Sequence, residues 1–143
     1  MKPLFEKETI YELSDIVQGS WELVKAPDSD KLMICSKADH VKHQSLLEKI
    51  AGAIRFNESS LVILDLDKSD YFPISRLIGN LQDKLVLSFG ILPEHIGLPN
   101  HLKGNQIHQF ETFKYCVTYK LDSMAIDQNK KKVFWSFAKS NLV

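Results

Sequence analysis

Long apolar runs, cysteine and an excess of either charge are all scarce in this chain, and each scarcity removes a class of function. Apolar runs such as Leu61-Val-Ile-Leu64 and Leu85-Val-Leu87 fall far short of the ~20 residues that a membrane-spanning helix needs. No membrane span is expected. Eighteen Lys and Arg balance eighteen Asp and Glu, for a formal net charge of zero. No whole-molecule positive field draws phosphate backbones in, so direct nucleic-acid binding is expected to be weak or absent. The two cysteines, Cys35 and Cys116, sit in apolar, strand-like stretches and read as small buried hydrophobes rather than as a bridge or a metal pair. The six glycines are scattered and form no G-x-G-x-x-G, G-x-x-x-x-G-K-S/T or G-x-S-x-G motif. Dinucleotide, P-loop and hydrolase-elbow chemistry therefore lack their key residues. The five histidines have no H-E-x-x-H spacing, so neither a metal nor a cofactor is expected.

What is present is the composition of a globular chain. At 143 residues, 44% hydrophobic and 25% charged, it is long enough to bury roughly 68–70% of its unfolded surface. A single α/β domain over residues 1–143 is expected, without disorder of the whole chain. Glu6 and Glu8 stand where a signal peptide keeps its apolar region, which points to the cytoplasm.

Segment 1–27 reads as an N-terminal helix and a short strand-like piece. Ile10, Leu13, Ile16 and Val17 form a one-faced helical stripe ended by Gly19, and Trp21 to Val24 alternates before the turn at Pro27. Beyond that turn, Lys31 to Ser36 reads as the first main strand and Val41 to Phe56 as a helix, with Ser45-Leu-Leu-Glu48 a possible capping box. Ser60 to Leu66 is a second strand, Pro73 opens a helix carrying Ile74, Leu77, Ile78 and Leu81, and Lys84 to Phe89 is a third strand. This β-α-β-α-β order predicts a three-layer fold with a mostly parallel sheet of about four or five strands and helices on both faces.

Leu92 to Gly97 suggests a short helical turn and Asn100 to Asn105 a polar loop. Ile107 to Phe110 and Thr112 to Tyr119 are further strand candidates of undetermined direction. A C-terminal helix capped by Asp127 puts Val133, Phe134, Phe137 and Ala138 inward. Lys130, Lys131 and Lys132 fall in its first turn, against the helix dipole. They are either a solvated face or an anion or partner patch, and with Trp135 nearby they allow a weak, salt-sensitive contact with DNA.

Ligands of open α/β sheets bind beyond the carboxyl ends of the strands. That rule singles out Asp39, Asp65, Asp67, Lys120 and Asp122 as the lining of a cleft. Asp65 and Asp67, two apart, share a face if the strand continues that far; otherwise they cap a turn. His40 and His43 read as an exposed polar turn.

Two stretches carry a family resemblance. Thr118-Tyr-Lys-Leu-Asp-Ser-Met124 followed by Asp127 to Phe137 resembles the C-terminal strand, loop and helix of the uracil-DNA glycosylase-like superfamily. Lys120 and Leu121 stand where the enzymes of that superfamily carry His-Pro, and Ser36 to His40 has no glycine where they carry a Gly-rich acidic loop. Both main supports of base excision are missing, so the resemblance implies a catalytically dead member whose acidic cleft is vestigial. The N-terminal stripe, then Gln18 to Pro27, then the strand at Lys31 to Ser36 is similar to the opening of the psi-subunit family of bacterial DNA polymerase III, a non-catalytic branch. That similarity implies a non-catalytic protein-interaction module whose partner is a clamp-loader or chi-like subunit, engaged through Phe5, Ile10, Tyr11 and Leu13. The residues by themselves leave open a stripe that packs on the sheet. They also leave open a small nucleotide- or nucleobase-acting enzyme whose cleft uses Asp39, Asp65, Asp67 and Lys120.

Overall fold

In the computed structural model, residues 21–24, 30–56, 58–68, 71–74 and 83–142 are described. The N-terminal stripe, and with it Phe5, Ile10, Tyr11 and Leu13, lies outside them. So does most of the helix expected after Pro73.

Six strands form one mixed sheet in the order β1-β3-β2-β4-β6-β5. β1 is Trp21–Val24, β2 Lys31–Ser36, β3 Ser60–Leu64, β4 Leu85–Phe89, β5 His108–Gln109 and β6 Lys114–Thr118. β3, β2, β4 and β6 run parallel to their neighbours, whereas β1 on β3 and β5 on β6 are antiparallel edges. The sheet thus has more strands than the expected four or five. Trp21 to Val24 joins it because its alternation sets Trp21 and Leu23 against one apolar face, with the Trp21 ring centroid 5.0 Å from that of Phe72.

The strand alternation divides the core in two. One face presents Leu32, Ile34, Val62, Leu64, Val86, Tyr115 and Val117, closed over by Phe72, Ile74 and the segment 91–98. That segment holds a short 3-10 turn, Pro93–Ile96. The other presents Met33, Cys35, Leu87, Phe89 and Cys116 to the helices. Of the four described α-helices, α1 (Lys37–Lys42), α2 (Gln44–Ala53), α3 (Leu121–Ile126) and α4 (Gln128–Asn141), the last three supply this cluster, α1 lies against α2 and α3, and none contributes to the first cluster. Helices on both faces are therefore not seen among the described residues.

Local chemistry sets the helix boundaries. The helix expected from Val41 starts earlier, because the Ser36 side chain accepts the Asp39 amide at 3.1 Å and caps α1. It breaks at His43, so Ser45 lies inside α2 and caps nothing. Asp127 caps α4 as expected, accepting the amides of Asn129 and Lys130. Val133, however, is exposed rather than inward, and Phe134 and Ala138 carry the buried stripe.

Cys35 and Cys116 are both buried and free. Their strands, β2 and β6, are separated by β4, a gap of about 9.6 Å at two strand spacings, too wide for a disulfide. Burial pushes both thiols up to about 12, with the charge of Asp39 adding to the effect at Cys35. A thiol reagent at about pH 8 is therefore expected to label neither cysteine in the native protein and both in denaturant. Rapid labelling of the native chain would contradict this packing.

Candidate functional site at the carboxyl ends of the strands

The parallel strands β2, β3, β4 and β6 end at Ser36, Leu64, Phe89 and Thr118, which brings the acids chosen from the sequence to one rim of the sheet. Two of these acids, Asp65 and Asp122, are engaged by contacts within the protein. β3 stops at Leu64, two residues short of its expected end. There the Asp65 carboxylate accepts the Asp67 amide at 3.1 Å and the Asp65 carbonyl accepts the Lys68 amide. This is a self-capped turn, so Asp65 and Asp67 do not share an extended face. Lys37 reaches Asp65 at 3.8 Å, a loose ion pair at the surface.

β4 closes at Gly90, whose φ of 73° lies in the left-handed region. Its amide donates to the Thr118 carbonyl at 2.9 Å, and Lys120 packs directly on its α-carbon. The end of β6 is shut by the loop before it: the Thr118 hydroxyl donates to the Asn105 side-chain oxygen at 2.7 Å, and the Asn105 amide donates to Val117.

Asp122 sits in the first turn of α3, a helix in the place where the sequence pattern puts Lys120 to Asp122 at a strand end. Its carboxylate accepts His43 Nε2 at 2.8 Å and faces Lys42 Nζ at 3.2 Å. A carboxylate only accepts, so His43 Nε2 is the donor in this bond. His43 is therefore not the exposed polar turn expected; its side chain is 14% accessible and ties α1 to α3. The His43 hydrogen bond, then the Lys42 ammonium, hold the Asp122 carboxyl below its ordinary 3.8.

Because the folded value is depressed, the stabilising contribution of Asp122 is present above about pH 4 and is lost as pH falls through the folded value. Between about pH 5 and pH 3 the wild type is expected to lose more of its urea midpoint than Asp122→Asn. Parallel losses would remove Asp122 from the acid response.

Asp39 differs from the other acids. It is 4% exposed in a first helical turn, and its Oδ2 is buried without a hydrogen-bond partner among the described residues. Neither of two concavities lined by described residues includes any of the five rim residues. One, of about 360 Å³, lies at the opposite rim among Asp30, Lys31, Asp83, Lys84, Glu111 and Lys114. The other, of about 480 Å³, runs between the α1–α2 pair and the β1–β3 edge, past Val24, His40, Gln44, Glu48 and Leu61.

Among the described residues no three His, Cys, Asp or Glu side chains converge as a metal site. No described helix is long and apolar enough to cross a membrane. No protein-family model matches the chain, and no curated protein matches it.

Proposed function

We propose that the protein is a non-catalytic interaction module on a three-layer, uracil-DNA glycosylase-like fold, a cytoplasmic adaptor of the psi type. The observation that carries this reading is the occupied rim. Asp65 closes its own turn, Asp122 is engaged by His43 and Lys42, and Lys120 packs on Gly90. A general base or acid needs a reacting atom within hydrogen-bond reach, and the Asp65 and Asp122 carboxylates are already engaged by groups of the protein itself. Of the acids the enzyme alternative would use, Asp39 is enclosed, with one carboxylate oxygen buried and unpartnered among the described residues.

The partner surface on this reading is the N-terminal stripe of Phe5, Ile10, Tyr11 and Leu13, docking on a clamp-loader or chi-like subunit. The test is co-elution of the purified protein with the purified clamp loader of its own source, alongside Tyr11→Glu and Leu13→Glu variants and a uracil-excision assay. Co-elution that both variants lose while keeping wild-type circular dichroism, with no uracil released, is the expected result. Uracil release by the wild type, or no co-elution, would overturn the proposal.

A further inference from the structure

The chain is neutral as a whole, yet α4 is not. Its fourteen residues, Gln-Asn-Lys-Lys-Lys-Val-Phe-Trp-Ser-Phe-Ala-Lys-Ser-Asn, carry four lysines and no acid, against a formal net charge of zero for all 143 residues. Lys131, Lys132 and Lys139 lie at i−4, i−3 and i+4 from Trp135, the spacings that bring helical side chains side by side. None of the three has an ion-pair partner among the described residues. Lys132 and Lys139 are exposed, and Lys131 and Trp135 are half-exposed.

Trp135 is held from beneath by the Phe134 ring, edge-on with centroids 5.4 Å apart. Lys130 belongs to another part of the surface, its Nζ 5.5 Å from the centre of the Tyr119 ring. The exposed Val133, two residues before Trp135, is turned about 200° away on the helix. Neither concavity among the described residues is lined by this face. It thus offers cations and the open part of one aromatic ring, the rest of which packs on the core, with no apolar groove of that kind beside them. An amphipathic acidic peptide needs such a groove to bury its apolar side. A polyanion with stackable rings does not.

We infer that this face of α4 binds single-stranded nucleic acid, with Lys131, Lys132 and Lys139 on phosphates and Trp135 stacked on a base. Lys132 and Lys139 stand about 10 Å apart along the helix axis, on either side of the ring, so a strand crossing Trp135 meets a cation before and after the stacked base. Placing cations in the first turn of a helix opposes its dipole; a bound phosphate on Lys131 and Lys132 reverses that penalty. The interaction is weak, because three phosphate contacts are few, and it depends on salt. For single strands, log K falls with log salt at about 0.7 per contact, so a slope of about −2 is expected.

The test is fluorescence anisotropy of a labelled oligo-dT titrated with the full chain at several salt concentrations, with tryptophan emission read in parallel. Lys132→Gln/Lys139→Gln, both exposed substitutions that spare the core, is expected to weaken binding about tenfold and to cut the slope to about −0.7. Trp135→Phe keeps a ring for packing and leaves Trp21 as the other tryptophan of the two. It is expected to abolish the emission quench caused by oligo-dT. Absence of binding at low salt, or unchanged affinity in the lysine variant, would overturn the inference. Equal competition by poly-glutamate would overturn it too, assigning the face to an acidic protein partner instead.

Discussion

Alanine at position 90 is expected to lower the stability of the protein by about 3 kcal/mol, the sum of a backbone cost and a packing cost. Gly90 holds a φ of 73°, where a Cβ meets the following carbonyl at about 1–2 kcal/mol. A Cβ at that position also lies 2.8 Å from the Lys120 α-carbon and overlaps the Lys120 side chain. The side chain can swing away, but the backbone moves only by parting the ends of β4 and β6, joined here by the Gly90 amide on Thr118. Overpacking of that kind adds about 1–3 kcal/mol. The melting temperature is then expected to fall by about 10 °C for a chain of this length.

Gly52 supplies the contrast. It is exposed in α2, and a methyl group on its α-carbon would meet nothing within 4 Å, so Gly52→Ala is expected to stabilise the protein by about 0.5–1 kcal/mol. Urea unfolding of both variants decides the matter: a loss below about 1 kcal/mol at position 90 would mean that the two strand ends separate easily.

The strands of the parallel core were legible because each is a short, buried apolar run, and in the structure Phe113, Tyr115 and Val117 lie in one core cluster and Cys116 in the other. The rim was not legible, for reasons of range and competition. Two or three residues at each strand end choose between extending the ladder and hydrogen-bonding locally. At Asp65 the local bond to Asp67 wins, as does the Ser36 cap that starts α1 early.

His43 and Asp122 are 79 residues apart, and no local pattern announces that they meet. α3 has six residues, too few for a periodic stripe to emerge. The edge strand β1 carries the signal of any alternating tetrapeptide, and only its pairing with β3 makes it part of the sheet. Asp39 was chosen for its place beyond β2, and the structure keeps it beside that strand but enclosed. An acid selected by strand-end position alone is thus split between turn, clamp and core, a division set by neighbours distant in sequence.

Phe134→Ala is expected to cost about 4 kcal/mol, the largest loss from any single side chain of α4. Phe134 is fully buried, with its ring centroid 6.3 Å from that of Phe89 on β4 and edge-on to Trp135. Truncating a buried Phe to Ala costs about 3–5 kcal/mol through lost burial and the cavity left behind. A helix of this length is marginal on its own, so α4 depends on what it buries. Phe134 and Ala138 are its two buried residues, with Leu142 closing the stripe just past its end.

Deleting the larger of the two is therefore expected to loosen α4 before the sheet. Its backbone amides should exchange faster with solvent while those of β2 and β4 keep their protection. Val133→Ala, one residue away and 47% exposed, is expected to change stability by less than about 0.5 kcal/mol. Against a typical total of about 5–15 kcal/mol, the first change brings the chain near its unfolding threshold and the second is almost unseen. Comparable losses at 133 and 134 would mean that α4 is rotated from the orientation described, and the exposure of Lys132 and Lys139 beside Trp135 would then not hold.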